Sequence, residues 1–196
     1  MAPPRNLRRR DALADAAIEI LGTAGMHKLS HRSVDEQASL PPGTASNYVP
    51  RREDLLAAAA NRVAELHLAG VTAARPELPG PVSRDRLAEL IGANLLDSAT
   101  RHRTRYLAVF ELTLEASRQP ALAGALAQLG IATLESTVAE HRALGLPTTP
   151  GQVQALMTLF GGTLLTLVTG PPEAITPRAT LALARAIVRG VLGTGP

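Results

Sequence analysis

Three pairs of side chains in this chain have the spacing of helical chemistry. His27 and His31 stand four residues apart, as do Asp11 with Asp15 and Glu111 with Glu115. On a helix that spacing stacks two side chains on one face, the arrangement of a metal pair or of paired acid–base carboxylates. Neither reading carries here. Ser30 is placed to cap a helix between the two histidines, so they do not share a face. The carboxylates have no His partner near them in sequence and read as polar helix positions. The chain has no cysteine, which removes disulfides, thiolate metal sites and cysteine nucleophiles together. There is also no nucleophile elbow and no glycine-rich phosphate loop. The reading is therefore no enzyme, no catalytic residue, no metal and no cofactor.

A second set of residues suits recognition by hydrogen bonding. Gly43, Thr44, Ser46, Asn47 and Tyr48 follow one another closely after the breaker Pro41-Pro42. A short helix made of small polar groups is narrow enough to enter the major groove and can bond to base edges there. Val34, Ala38, Leu40, Ala45 and Val49 supply an apolar side that can hold this helix against the one before it. Arg32, early in that preceding helix, and Arg52, at the start of the helix that follows, sit at helix edges, where a guanidinium faces phosphate better than bases.

The elements that position these groups follow from helical periodicity. Leu13, Ala17, Ile20 with Leu21, and Ala24 form one stripe ended by Gly25, over a first amphipathic helix from Asp11. Ser30 caps a short helix carrying Val34 and Ala38, and another short segment runs through Val49. Arg52 to about Arg75 is long and Ala-rich. The run Pro76–Pro81 cannot continue a helix and marks the clearest boundary. Beyond it, Ser83 caps a helix to about Ser98, a second covers Arg103 to Ser117, and Pro120 opens a third to about Leu144. Thr149-Pro150 and Thr176-Pro177 open the last two. The expectation is an all-α fold of about nine helices. Aromatic residues make up only 2% of the 196 positions, which argues against both a β-rich core and a base-stacking single-strand binder. Net charge is only +3, yet Arg5, Arg8, Arg9 and Arg10 put four positive charges and no acid in the first ten residues. Placement of charge thus matters more than its total.

The segment Gly43-Thr44-Ala45-Ser46-Asn47-Tyr48-Val49-Pro50-Arg51-Arg52-Glu53-Asp54-Leu55-Leu56 resembles the signature of the TetR family of transcriptional regulators, and the first helix ending in Ala24-Gly25 fits as well. The sequence-level resemblance covers roughly residues 8 to 60. It implies an N-terminal three-helix helix-turn-helix DNA-binding domain (1–52, with a basic arm 1–10), joined by a long helix to a C-terminal ligand-binding and dimerisation domain (53–196). It also implies that Thr44, Asn47 and Tyr48 touch bases or phosphates. The chain departs from the family pattern in having Asp35 where Ala is usual, Ser39 where Gly is usual, and Ser46, Tyr48 and Val49 in place of the family's tyrosine, histidine and phenylalanine. Arg52 keeps a cation where lysine is usual.

In the C-terminal part, Tyr106, Phe110, Glu111, Thr113, Leu114 and Arg118 mix rings with charges on one amphipathic helix, which suits a ligand cavity with apolar walls and a few orienting polar groups. Asn94, Met157, Phe160 and Thr163 are weaker candidates of the same kind. Gly161-Gly162 with the last helix, Thr180 to Leu192, suggests a four-helix dimer contact. The uncharged segment Val153–Gly170 reads as a buried helix and not a membrane span, because of its Gln154, two glycines and threonines and its unbiased flanks. No secretory signal is visible, so a cytoplasmic location is expected. The expected function is a repressor of double-stranded operator DNA, homodimeric and released by a small apolar or amphipathic effector. An activator or effector-blind regulator of the same family is the alternative, ahead of a small α-helical enzyme.

Overall fold

A computed structural model describes residues 4–73 and 82–193. The boundary run Pro76–Pro81 lies outside the described residues. Among those described, nine α-helices follow one another: α1 (Pro4–Ala24), α2 (His31–Gln37), α3 (Thr44–Tyr48), α4 (Arg52–Ala73), α5 (Arg84–Thr100), α6 (Arg103–Ala116), α7 (Pro120–Ala143), α8 (Pro150–Thr169) and α9 (Pro177–Leu192). Short 3-10 turns at Met26–Lys28 and Pro172–Ala174 precede α2 and α9. The caps are those the sequence marks: the side chains of Ser30, Ser83, Thr149 and Thr176 each accept an N–H in the first turn of their helices.

The first helix is longer than its apolar stripe predicts. It begins at Pro4, so Arg5, Arg8, Arg9 and Arg10 belong to the opening turns of α1 and do not form a separate arm. Proline is accepted in a first helical turn, and no breaker separates Pro4 from Asp11, so nothing stops the helix from extending towards the N-terminus.

Two compact units divide the chain, Met1–Ala74 with Thr104–Leu129, and Arg75–Arg103 with Gly130–Pro196. This is a division by packing. It does not follow the boundary at 52/53 that the family resemblance implies, since α4 and most of α6 pack with the first three helices. In the first unit, Leu13, Ala17 and Leu21 of α1 meet Val34 of α2, Ala45 of α3, Leu55, Leu56, Ala59 and Val63 of α4, and Ala108 and Leu112 of α6. Burying several such side chains, at about 1.5–3 kcal/mol each, is what holds helices as short as α2 and α3. Gly22 lets α1 approach the start of α6, because a Cβ there would lie 2.1 Å from the Thr104 carbonyl oxygen. Arg62 of α4 adds a bidentate ion pair to Asp15 of α1, at 2.8 and 3.2 Å.

The second unit is built on α5, α8 and α9. Leu87, Ala88, Leu95 and Ala99 of α5, Val153, Leu156, Leu164 and Val168 of α8, and Ala184, Ile187 and Val188 of α9 are among its buried residues. Both α7 and α8 are long and apolar enough to cross a membrane by length and composition. In α8, however, the apolar residues split between this core and an outer face where Leu159 and Leu165 stand exposed. Gly161 and Gly162 have open space around them, so the close helix approach they allow is not used among the described residues.

Candidate functional site

The polar segment Gly43–Tyr48 forms α3, and α2 holds it at both ends. Asp35 of α2 is buried, with 3% of its surface exposed. Its carboxylate accepts the backbone N–H of Gly43 at 2.8 Å and that of Ala45 at 2.7 Å. Gly43 is the N-cap of α3 in a left-handed conformation, φ 88°, and has no side chain with which to cap the helix itself. Asp35 therefore supplies from α2 the acceptor that α3 lacks, in the charge-assisted form that favours a helix N-terminus. At the other end, His31 donates from Nε2 to the Val49 carbonyl oxygen at 2.6 Å. A carbonyl cannot donate, so Nε2 carries the proton. His31 and Asp35 are four residues apart on one face of α2, and that face grips both termini of α3.

The turn between the two helices is equally determined. Ser39 has φ 53°, the only non-glycine residue with positive φ among those described. Its N–H bonds the Glu36 carbonyl and that of Leu40 bonds the Asp35 carbonyl, the pairing that closes a helix through a left-handed residue. Serine adopts that conformation at a cost of about 1 kcal/mol relative to glycine. Thus Asp35 holds the turn with its backbone and the next helix with its side chain.

The other groups read from the sequence fall as follows. The Thr44 hydroxyl donates to the Pro41 carbonyl and that of Ser46 to the Gly43 carbonyl, so both stiffen the first turn of α3. Asn47 is exposed, and its side chain has no hydrogen-bond partner among the described residues, although its backbone N–H bonds the Gly43 carbonyl. The Tyr48 hydroxyl donates to Asn6 Oδ1 of α1, 3.1 Å away, which ties the end of α3 to the arginine-rich opening turns. Arg32 is fully exposed and paired with Glu36, its neighbour one turn on. Arg52 is exposed, yet its guanidinium is engaged: it donates to the carbonyls of Leu29 and Met26. That gives it a structural tie that the sequence reading of a phosphate contact did not include.

Met26 receives a second tie. Glu111 Oε2 of α6 accepts its N–H at 3.3 Å, so one residue of the turn before α2 bonds α6 through its amide and α4 through its carbonyl. Glu111, read from the sequence as a ligand-orienting group, thus touches the helix-turn-helix segment. Two more carboxylates of the spaced pairs are also engaged, Asp15 with Arg62 and Glu115 with Gln119 and Arg118. The histidines part company: His27 lies in the 3-10 turn and His31 in α2.

Of the ligand candidates, Tyr106, Phe110, Glu111 and Leu114 belong to the first unit, and Asn94, Met157 and Phe160 to the second. Tyr106 and Phe110 are half-buried on α6, and the Arg105 guanidinium lies 5.5 Å from the Tyr106 ring centre. Leu114 is 62% exposed, unusual for a leucine on a packed helix. Met157 and Phe160 are half-buried on α8, and Asn94 accepts from the buried Ser98 hydroxyl. A cavity of about 200 Å³ opens at the α7–α8 connection, lined by Val138, Arg142, Gly145, Leu146, Pro147, Thr148 and Pro150. It contains none of the seven candidates and is smaller than most ligand sites. His141 beside it is buried, bonds Thr148 at 3.0 Å, and is held below the ordinary imidazole pKa by that burial. His67 of α4 is lowered too, by burial first and then by the Arg105 charge.

Comparison with known proteins agrees with the helical order. The model of the C-terminal domain of tetracyclin repressor-like proteins matches residues 82–194. A crystallised TetR-family transcriptional regulator from Rhodococcus sp. has a similar fold, with TM-score 0.72 and 21% identity over 94% of this chain and 99% of that one. The multidrug-binding protein EbrR complexed with ethidium gives TM-score 0.69 and 27% identity over 91% and 98% of the two chains. The same protein with imidazole gives 0.66 and 30% over 91% and 94%. None of the curated proteins gives a significant match.

Proposed function

The chain belongs to the TetR family of transcriptional regulators, which is not a family of enzymes, and on that premise we propose that it is a cytoplasmic repressor. A homodimer binds a pseudo-palindromic operator through α3 of each copy, and a small apolar or amphipathic effector releases it. The observation that carries the DNA reading is the state of α3: five residues, clamped at both ends, presenting an exposed Asn47 whose side chain has no partner among the described residues. A free carboxamide on a rigid short helix suits the bidentate donor–acceptor edge of adenine. Thr44, Ser46 and Gly43 lie against the backbone beside it. Tyr48, with Arg8 and Arg9 near the start of α1, supplies phosphate contacts, and Arg32 adds another by exchanging its exposed partner Glu36. Arg52 contributes chiefly by holding the turn.

Effector response needs only that the ligand bind the form that does not fit DNA more tightly, with a coupling of about 1–3 kcal/mol. We assign the ligand to the side of α6 that bears Tyr106 and Phe110, with Leu114 beyond them; Asn94, Met157 and Phe160 of the second unit are a separate, weaker candidate set. The Glu111–Met26–Arg52 bonds give α6 a direct hold on the turn that precedes α2, so a ligand that shifts α6 acts on the reading helix through named atoms. EbrR, crystallised with ethidium, makes a flat aromatic compound the first probe to use. The second copy meets the outer face of α8 and α9, where Leu159, Leu165 and Leu183 are exposed and Gly161 and Gly162 leave room for a close approach.

The deciding experiment is fluorescence anisotropy of labelled duplexes from the DNA flanking the protein's own gene, titrated at several salt concentrations. Selective, salt-dependent binding to one duplex is expected. Equal affinity for all duplexes would overturn the regulator reading. Ethidium is tested separately on the protein without DNA, by thermal shift, because it also intercalates duplex DNA. An activator or effector-blind regulator remains the alternative, and it would show the same DNA selectivity with no ligand-induced release.

A further inference from the structure

Resting on this DNA-binding reading, we infer that His31 and Asp35 are positioning residues for sequence recognition: a two-point polar clamp on α2 that sets the attitude of the reading helix without touching DNA. The apolar contacts between α2 and α3 come from one fully buried valine, Val34, and otherwise from small or partly buried groups, Ala45, Ala38, Leu40 and Val49. Such contacts favour closeness but tolerate rotation, since dispersion and burial are not directional. Hydrogen bonds are directional. The two oxygens of one buried carboxylate accept Gly43 and Ala45 at the start of α3, and His31 Nε2 holds the Val49 carbonyl at its end. Fixing both ends of a five-residue helix leaves it neither tilt nor roll. A base reader such as Asn47 needs that, because a bidentate contact fails when its donor and acceptor are displaced by a fraction of an ångström. The position of Asp35, which departs from the common alanine, then has a function: it substitutes for the side-chain cap that Gly43 cannot provide.

The clamp separates two quantities that a purely structural role would move together. Phosphate contacts tolerate a tilted helix, whereas base contacts do not. The test begins by selecting, with the wild-type protein, a preferred duplex from a random pool. Asp35→Asn, Asp35→Ala and His31→Ala are then titrated against that duplex and against a scrambled one, at a temperature well below each variant's melting point. Asp35→Asn conserves volume but sets an amide N–H₂ against one of the two backbone donors, so any loss cannot come from a cavity. Adding Ser39→Gly to Asp35→Ala recovers stability, read as a higher melting temperature, by relieving the left-handed serine.

The expected result is a loss of about ten- to a hundredfold in affinity for the selected duplex in Asp35→Asn and Asp35→Ala, and a smaller loss in His31→Ala, with scrambled-duplex affinity within about twofold of wild type. The Asp35→Ala/Ser39→Gly pair should regain melting temperature and remain unselective. If that pair regains selectivity together with stability, Asp35 is merely structural and the clamp is wrong. If all variants discriminate like the wild type, the clamp is wrong while the regulator reading stands. If the wild type selects no duplex, the regulator reading fails and the clamp fails with it.

Discussion

The region around α2 and α3 and the outer face of α8 and α9 solve opposite problems. In the first, small elements with little apolar surface are held by directional bonds: Asp35 and His31 clamp α3, Arg52 and Glu111 tie Met26, and Tyr48 reaches Asn6. In the second, long apolar helices need no such ties within the core, yet they leave Leu159, Leu165 and Leu183 in water around two unused glycines. A short helix that must be aimed is completed by its own chain. A long helix with a surplus apolar face is completed, in the proposed dimer, by another copy. Several measurements break or sharpen this contrast.

The largest effect should come from the open face. Leu165→Arg is expected to turn the dimer into a monomer by light scattering at micromolar concentration, with operator affinity down by about 10²–10⁴-fold, because the second half-site no longer binds intramolecularly. A variant that remains dimeric would place the interface elsewhere. Next, Asn47→Ala should lose about 1–3 kcal/mol of operator binding with circular dichroism and random-DNA affinity unchanged. Retention of full selectivity would show that α3 reads through other groups.

Phe110→Ala tests whether α6 behaves like the aimed region or the packed one. Lost stabilisation by ethidium with a small change in melting temperature supports a ligand wall. A stability loss of about 3–5 kcal/mol would mark a core residue instead. Deleting residues 1–9 should weaken binding to any duplex and lower the salt slope by about two to three units, one for each lost arginine–phosphate contact. Melting should fall only a few degrees, since Leu7 is 54% exposed and, among the described residues, the Tyr48–Asn6 bond is the link to α3 that is lost.

The smallest effect is on pH. His67 and His141 are both depressed by burial, so below the ordinary imidazole value of 6.5 the unfolded chain binds more protons than the folded one. Stability is therefore full above about pH 6.5 and declines as pH falls below it. Chemical denaturation at pH 7.5 and pH 5.5 should show that decline, and His141→Gln should reduce it. An unchanged slope in the variant would assign the effect elsewhere.

The sequence by itself determined the helices and most of their limits. The caps Ser30, Ser83, Thr149 and Thr176, the openers Pro120, Pro150 and Pro177, and the stop at Gly25 act within a turn of themselves, so their meaning is complete in a short window. It likewise placed the short polar helix α3, because small polar residues after Pro41-Pro42 sit between apolar stripes. It left the basic start outside the first helix, since an apolar stripe marks a buried face and says nothing of exposed turns that continue it. Only the tertiary structure decided what the isolated polar groups do. Asp35 meets partners eight and ten residues away, His31 one eighteen away, Arg52 carbonyls 23 and 26 away, and Glu111 an amide 85 away. Those bonds depend on the direction of helices packed in three dimensions, and a hydrogen bond made or missed by an ångström leaves no periodicity to read.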